Sequence, residues 1–205
     1  MQAYISILRG INVGGKKSVK MDVLRKIYVD LGFQNVQTYI QSGNVVFCSE
    51  NSSKQDLATK ITEKILETFA FDVPIIILTL HELQEIIKNN PFLVEILENN
   101  QKENLQENQE ENQKDSQKDR IYFHITFLSE IPEKALFDKI KENIYQKDEF
   151  LLLGKSIYLY CPDGYGNSKL TNGFFETKLK VIATTRNWKT SLELLNMAEK
   201  ISNSN

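Results

Sequence analysis

The sequence predicts an α+β protein built from two halves with the same order of elements, β-α-β-β-α-β, and three observations carry that prediction. Short apolar or alternating runs of strand length take turns with stretches whose apolar residues recur at helical spacing. A polar tract nearly free of apolar residues divides the chain. Hairpin signals fall inside each half, which excludes an all-parallel sheet. That order is the split βαβ, ferredoxin-like arrangement, an antiparallel sheet carrying helices on one face.

In the first half, 1–97, the runs Tyr4–Leu8, Val36–Ile40, Val45–Cys48 and Ile75–Leu78 read as strands. Leu24, Ile27, Tyr28 and Leu31 recur at helical spacing between the first two, with Gly32 placed to end the helix. Ser53 with Asp56 reads as a capping box, and Leu57, Ile61, Ile65 and Phe69 share the face of the helix behind it. Thr79 with Glu82 offers a second box, before a short helix with Leu83, Ile86 and Ile87 that stops near Pro91.

From 98 to 119 the composition turns to Asn, Gln, Glu and Lys, which reads as an inserted linker, with a solvated helical extension as the competing reading. The second half, 120–205, repeats the order without a residue-level repeat. Ile121, Phe123, Ile125 and Phe127 alternate on a strand, Pro132 starts a helix through Leu136, Ile140 and Ile144, and Gly154-Lys155 joins strands Phe150–Leu153 and Ile157–Cys161. A helix over Ser168–Leu179, a short strand at Val181–Thr184 and a closing helix lined by Leu192, Leu195 and Ile201 complete the chain.

With 205 residues and 41 % hydrophobic content the chain can bury a real core. A formal charge of −2 and a pI near 5.8 argue against a broad nucleic-acid footprint. The amino end has no signal-peptide pattern and no apolar run reaches the roughly 18 residues of a membrane span, so a cytoplasmic protein without a membrane partner is expected. Cys48 and Cys161 are the only cysteines, too far apart to suggest a metal site or disulfide framework, and both are expected as buried thiols. No cofactor and no metal is expected.

Three polar segments stand where predicted strands end or turn. Gly10 to Lys17 approaches the phosphate-binding pattern of Gly, four residues, Gly, Lys and Ser or Thr, but Lys17 occupies the hydroxyl position and Ser18 comes one residue late. An anion nest built on Gly14 and Gly15, with Arg9, Asn12 and the lysines around it, stands against a tight turn that needs glycine for positive φ. Gln41-Ser42-Gly43-Asn44 is either a plain hairpin turn or a set of side-chain donors, Ser42 and Asn44 among them, beside the glycine loop. Thr184-Thr185-Arg186-Asn187-Trp188 leads into the closing helix, with Asn187 as its cap and Arg186 either a two-pronged anion ligand or an ion-pair partner. Lys169 is a second cationic contact or a solvated lysine. His81 and His124 have no acid and nucleophile pattern around them and read as structural or solvent-facing.

Leu8-Arg9-Gly10-Ile11-Asn12-Val13-Gly14-Gly15, Met21, Gly32-Phe33 and Thr38 to Phe47, together with Ser168-Lys169-Leu170 and Thr184 to Thr190, resemble the bacterial family catalogued as domain of unknown function 1697. The resemblance covers nearly the whole chain apart from the polar tract. It implies a cytosolic bacterial protein of two ferredoxin-like halves and carries over no activity, cofactor or catalytic residue.

Three functions from different classes fit these residues. The first is recognition of a phosphorylated or otherwise anionic small molecule by Arg9, Asn12, Gly14, Gly15, Ser42, Asn44, Lys169, Arg186 and Asn187. The second is a nucleic-acid-binding module using Tyr122, Tyr158 and Tyr160 as stacking residues. The third is a non-catalytic assembly protein, monomeric or a homodimer joined through sheet edges.

Overall fold

The structure, a computed structural model, describes residues 1–50, 53–93, 120–143, 145 and 147–203. The tract 98–119, expected as a linker, and Ile144, expected on a helix stripe, lie outside the described residues. The chain divides into two compact units, Met1–Glu85 with Leu192–Asn205, and Ile86–Ser191. The boundaries expected from sequence keep the closing helix wholly in the second half, whereas Leu192 onward belongs to the first unit.

The first unit runs β1 (Gln2–Leu8), α1 (Met21–Asp30), β2 (Gln34–Tyr39), β3 (Asn44–Ser49), α2 (Lys54–Phe69), β4 (Ile75–Thr79) and α3 (Leu80–Lys88), the last of which crosses the unit boundary at Glu85. Its sheet has the order β2-β3-β1-β4, all antiparallel, which is the ferredoxin-like order. Tyr4, Leu8, Val45, Phe47 and Ile77 point from this sheet to Leu24, Ile27 and Tyr28 of α1 and Leu57, Ile61 and Ile65 of α2. Phe47 stacks on Tyr4 and Phe33 at 5.7 and 4.7 Å between ring centres. Each large side chain of this kind adds about 1.5–3 kcal/mol when fully buried. Ser6 shares the face and would be costly there, but its Oγ lies 2.5 Å from the Tyr28 hydroxyl, so both buried groups are satisfied.

Local signals end and start the helices as expected. α1 closes with a Schellman motif, Gly32 N–H donating to the Val29 carbonyl and Phe33 N–H to the Tyr28 carbonyl, with Gly32 at φ 83°. Ser53 Oγ accepts from Asp56 N–H at 3.0 Å, and Thr79 and Glu82 cap each other reciprocally at 2.9 and 3.1 Å.

The second unit repeats the plan with β5 (Phe123–Leu128), α4 (Lys134–Lys141), β6 (Glu149–Leu153), β7 (Ser156–Tyr160), α5 (Asn172–Leu179), β8 (Ala183–Asn187) and the start of α6 (Trp188–Asn203). The sheet order β6-β7-β5-β8 is the same permutation. The starts of α4 and α5 and the end of β8 are among the boundaries that differ from expectation. Helix α4 begins two residues after Pro132, α5 begins at Asn172 because Thr171 Oγ1 caps Phe174 N–H at 3.2 Å, and β8 runs on to Asn187 because Thr185, Arg186 and Asn187 find partners along β5.

Each sheet carries two helices on one face as expected, and much of its second face is covered as well. In the first unit Ala3, Ile5, Ile7, Val46 and Cys48 point away from α1 and α2, yet are at most 3 % exposed. The Cys48 thiol reaches the Ile201 carbonyl of α6 at 3.9 Å, and Gln84 of α3 donates to Glu199 of α6 at 3.0 Å, which places the covering helices. In the second unit Phe92 stacks on Phe123 at 5.8 Å and the Tyr158 hydroxyl donates to the Ile86 carbonyl at 2.8 Å, so the segment from Ile86 to Phe92 covers that face. Cys48 and Cys161 are both buried and neither is in a disulfide.

Candidate functional site

One end of the first sheet gathers the loops that carry the conspicuous motifs. Beyond β1 the chain bends at Gly10, φ 72°, and forms a small hairpin in which Lys16 N–H donates to the Val13 carbonyl and Asn12 N–H to the Lys17 carbonyl, each at 3.1 Å. Gly14 and Gly15 lie at φ 59° and 72°, the two positive values that a type I′ turn requires. An anion nest alternates right- and left-handed residues, so two successive left-handed glycines make a tight turn and not that cradle. Helix α1 starts only at Met21, so no helix amino terminus follows the glycines as it does in a phosphate-binding loop.

Asn12 fastens this hairpin to the rest of the unit. Its Nδ2 donates to the carbonyls of Val19 at 2.9 Å and Gln41 at 2.8 Å, while its Oδ1 accepts from Val19 N–H at 2.8 Å. Only this orientation of the amide works, because the reverse would set oxygen against two carbonyls. Asn12 sits at φ 55°, a region that Asn tolerates better than most residues. The residue expected among the ligand contacts therefore has its amide engaged in joining two loops.

The second loop is the four-residue turn between Tyr39 and Asn44, which pair across β2 and β3. Asn44 is fully buried and donates to the Tyr39 carbonyl at 3.1 Å and to Ser42 Oγ at 2.9 Å, so Ser42 and Asn44 hold the turn's own shape. Gly43, φ 76°, lies so close to the first loop that a Cβ there would stand 2.7 Å from Leu8 Cβ and 2.8 Å from Ile11 Cδ1. Leu8 N–H donates to the Gly43 carbonyl and Arg9 N–H to the Pro74 carbonyl, both at 2.8 Å, and the Lys17 ammonium reaches the Asp72 carbonyl at 2.5 Å over the Phe71 ring. Three connections of the unit thus meet at one place.

Two features of this place were not legible beforehand. Ile40 occupies the left-handed region at φ 49° with half its surface exposed, an uncommon conformation for a β-branched residue and one that costs about 1–2 kcal/mol. Val13, at the tip of the first loop, is 66 % exposed. The available signal for Ile40 was an apolar residue opening a polar Gln-Ser-Gly turn.

The remaining predicted residues lie in the second unit, where Arg186 and Asn187 are engaged in local hydrogen bonds. Arg186 is 8 % exposed, and its Nη1 donates to Thr184 Oγ1 and to the Thr185 carbonyl, each at 2.9 Å. Asn187 caps α6 as expected, its Oδ1 accepting from Thr190 N–H at 2.7 Å. Lys169 is exposed, two residues ahead of the Thr171 cap. His124 stacks on Tyr165 at 4.8 Å, and its Nδ1 lies 3.1 Å from the Tyr122 carbonyl, which requires Nδ1 to carry the proton. Burial holds its pKa below the ordinary value, so the ring is neutral at pH 7. Of the candidate stacking residues, Tyr158 is buried, with burial pushing its hydroxyl up to about 12, and Tyr160 packs on Phe123 and Phe92. Burial likewise pushes the Cys161 thiol up to about 12, with Asp148 adding to the effect, which makes it a poor nucleophile. Among the described residues no group of three or more His, Cys, Asp or Glu is placed to hold a metal ion, and no helix is long and apolar enough to cross a membrane.

A comparison with curated proteins returns no match. Among solved structures the chain is similar to the conserved bacterial protein SP0830 from Streptococcus pneumoniae, with a TM-score of 0.61 and 22 % identity over 96 % of this chain and 98 % of that one, a likeness of fold. The family described as protein of unknown function (DUF1697) matches residues 1–106, a span that holds both loops joined by Asn12. The chain belongs to the DUF1697 family.

Proposed function

We propose that the protein binds an anionic, phosphate-bearing small molecule at the loop end of the first unit's sheet, and that its role is recognition and not covalent chemistry. The observation that carries this reading is the Asn12 clamp, which holds the glycine turn and the Ile40–Gly43 turn side by side as a rigid platform with exposed outer residues. Functional loops are commonly presented in this way by a stable scaffold. The stretch Arg9 to Lys20 contains four basic residues and no acidic one, which favours a negative ligand. The turn bond uses the N–H of Lys16 and leaves those of Gly14 and Gly15 outside the ladder. Val13 and Ile40 supply apolar surface beside the charges, which suits a ligand with both a phosphate and an apolar ring. Strain held at Ile40 supports the same reading, because such strain concentrates at binding sites. Arg186 and Asn187 have no part in it, since Arg186 Nη1 donates within its own strand and Asn187 caps its own helix.

The test is a thermal-shift titration with inorganic phosphate, nucleotides and phosphorylated sugars, comparing the parent chain with Lys16→Glu. A ligand at a hundred times its Kd adds about 2.7 kcal/mol. At about 2–4 °C per kcal/mol for a chain of this length, that is a rise of roughly 5–10 °C. The reading expects a rise in the parent that Lys16→Glu abolishes and Arg186→Ala retains. No rise with any of the compounds, or an equal rise in Lys16→Glu, contradicts it.

A further inference from the structure

The two sheets have four edges, β2 and β4 in the first unit and β6 and β8 in the second. Three of them carry the usual protection against pairing with another chain. β2 is polar, its ladder is irregular between Gln34 and Gln37, and Asn35 turns to φ 52°. β4 keeps Ile76, Ile77 and Leu78 buried, and β8 carries Arg186 and ends on the exposed Asn187. β6 differs. It pairs with β7 in unbroken register from Glu149 to Leu153, contains no Lys, Arg, Pro or bulge, and leaves Leu151 and Leu153 40 % and 54 % exposed. Among the described residues no other edge strand exposes a large apolar side chain.

We propose that β6 is an interface between two copies of this chain, paired antiparallel about a two-fold axis at Leu152. The residues of the edge choose this occupant. The two-residue turn Gly154-Lys155 makes Leu153 and Ser156 the hydrogen-bonded pair that closes the hairpin. Antiparallel alternation then turns the main-chain groups of Leu151 and Leu153 toward β7 and those of Phe150 and Leu152 toward the open edge. Self-pairing is therefore centred on Leu151 or on Leu152. Centring on Leu151 sets the exposed Glu149 against Leu153 of the second copy. Centring on Leu152 sets Leu151 against Leu153 and Glu149 against Lys155, each twice by symmetry. The second register joins both exposed leucines of β6 and matches each Glu149 carboxylate with an exposed Lys155 ammonium, which in the single chain reaches the Ser129 carbonyl at 3.2 Å. Two four-stranded sheets become one of eight strands. Five-residue strands bury little area, so the dimer is weak and depends on concentration.

Sedimentation velocity over a concentration series tests it. The parent chain is expected to move from the 23.7 kDa monomer toward twice that mass, and Leu151→Lys to remain monomeric with an unchanged circular dichroism melt. A parent that stays monomeric into the millimolar range overturns the proposal, as does a folded Leu151→Lys that associates like the parent. Register is read by oxidation. Leu151→Cys mixed with Leu153→Cys is expected to cross-link, while either alone does not, and Cys48 and Cys161 are buried away from the reaction. Cross-linking of Leu151→Cys by itself contradicts the register centred on Leu152.

Discussion

Replacing Asn12 by alanine separates a residue that builds the loop platform from one that merely faces a ligand. The side chain makes three hydrogen bonds to main chain, two donated to the Val19 and Gln41 carbonyls and one accepted from Val19 N–H. A net contribution of about 0.5–1.5 kcal/mol for each gives roughly 1.5–4.5 kcal/mol. Alanine at φ 55° adds strain, because a left-handed L-residue costs about 1–2 kcal/mol, whereas Asn visits that region more readily. Since the site is only partly buried, the lower half of the range applies, and Asn12→Ala is expected to destabilise by about 3 kcal/mol. In a thermal melt this is a fall of roughly 6–12 °C. Asn12→Gly loses the same bonds without the strain and should fall less, by about 1 kcal/mol. The assay is urea unfolding followed by circular dichroism for all three proteins, which also confirms that the slope is unchanged. A loss below about 1 kcal/mol in Asn12→Ala, or a Gly variant less stable than the Ala variant, is incompatible with three main-chain bonds made from a left-handed residue.

Three further outcomes follow from the same geometry. Gly43→Ala sets a Cβ against Leu8 and Ile11 at positive φ and is expected to cost about 2–5 kcal/mol, while Gly14→Ala, with nothing within 4 Å, should lose only about 1 kcal/mol; equal losses in urea unfolding would contradict the close approach. Ala70 closes α2 at φ 59°, so Ala70→Gly is expected to raise stability by about 0.5–1 kcal/mol, and a loss would sink that account. Burial pushes the Glu82 carboxyl up, but the Lys54 ammonium and the N–H and hydroxyl of Thr79 together hold it below its ordinary value. A lowered folded-state pKa contributes stability that is present above the unfolded value and lost as pH falls through the folded one. The gap between the parent and Glu82→Gln should therefore be constant above about pH 5.5 and shrink below pH 4, and a gap that widens in acid has the wrong sign.

What could be read from the residues was what neighbours in sequence decide. Gly32 ends α1, Thr79 and Glu82 cap α3, and Asn187 caps α6, because the partners lie within five residues. The ferredoxin-like order followed from counting elements and hairpin signals, and the sheet orders agree with it. The extension of β8 to Asn187 was hidden, since Thr-Thr-Arg-Asn is a cap-like string that only pairing with β5 makes a strand. The covered second faces were hidden too, because the apolar stripes of α3 and α6 tell that they are buried and not against what. The glycine turn was legible as a turn. The clamp was not, because Asn12 finds its partners 7 and 29 residues away.

Phosphate binding at the platform joined by Asn12 is read residue by residue through amide chemical-shift mapping in a titration with nucleoside phosphates. Saturable shifts are expected at Gly14, Gly15, Lys16 and Gln41, with Arg186 and Asn187 unmoved. Shifts confined to residues 168–187, or none that saturate, would contradict binding at this platform.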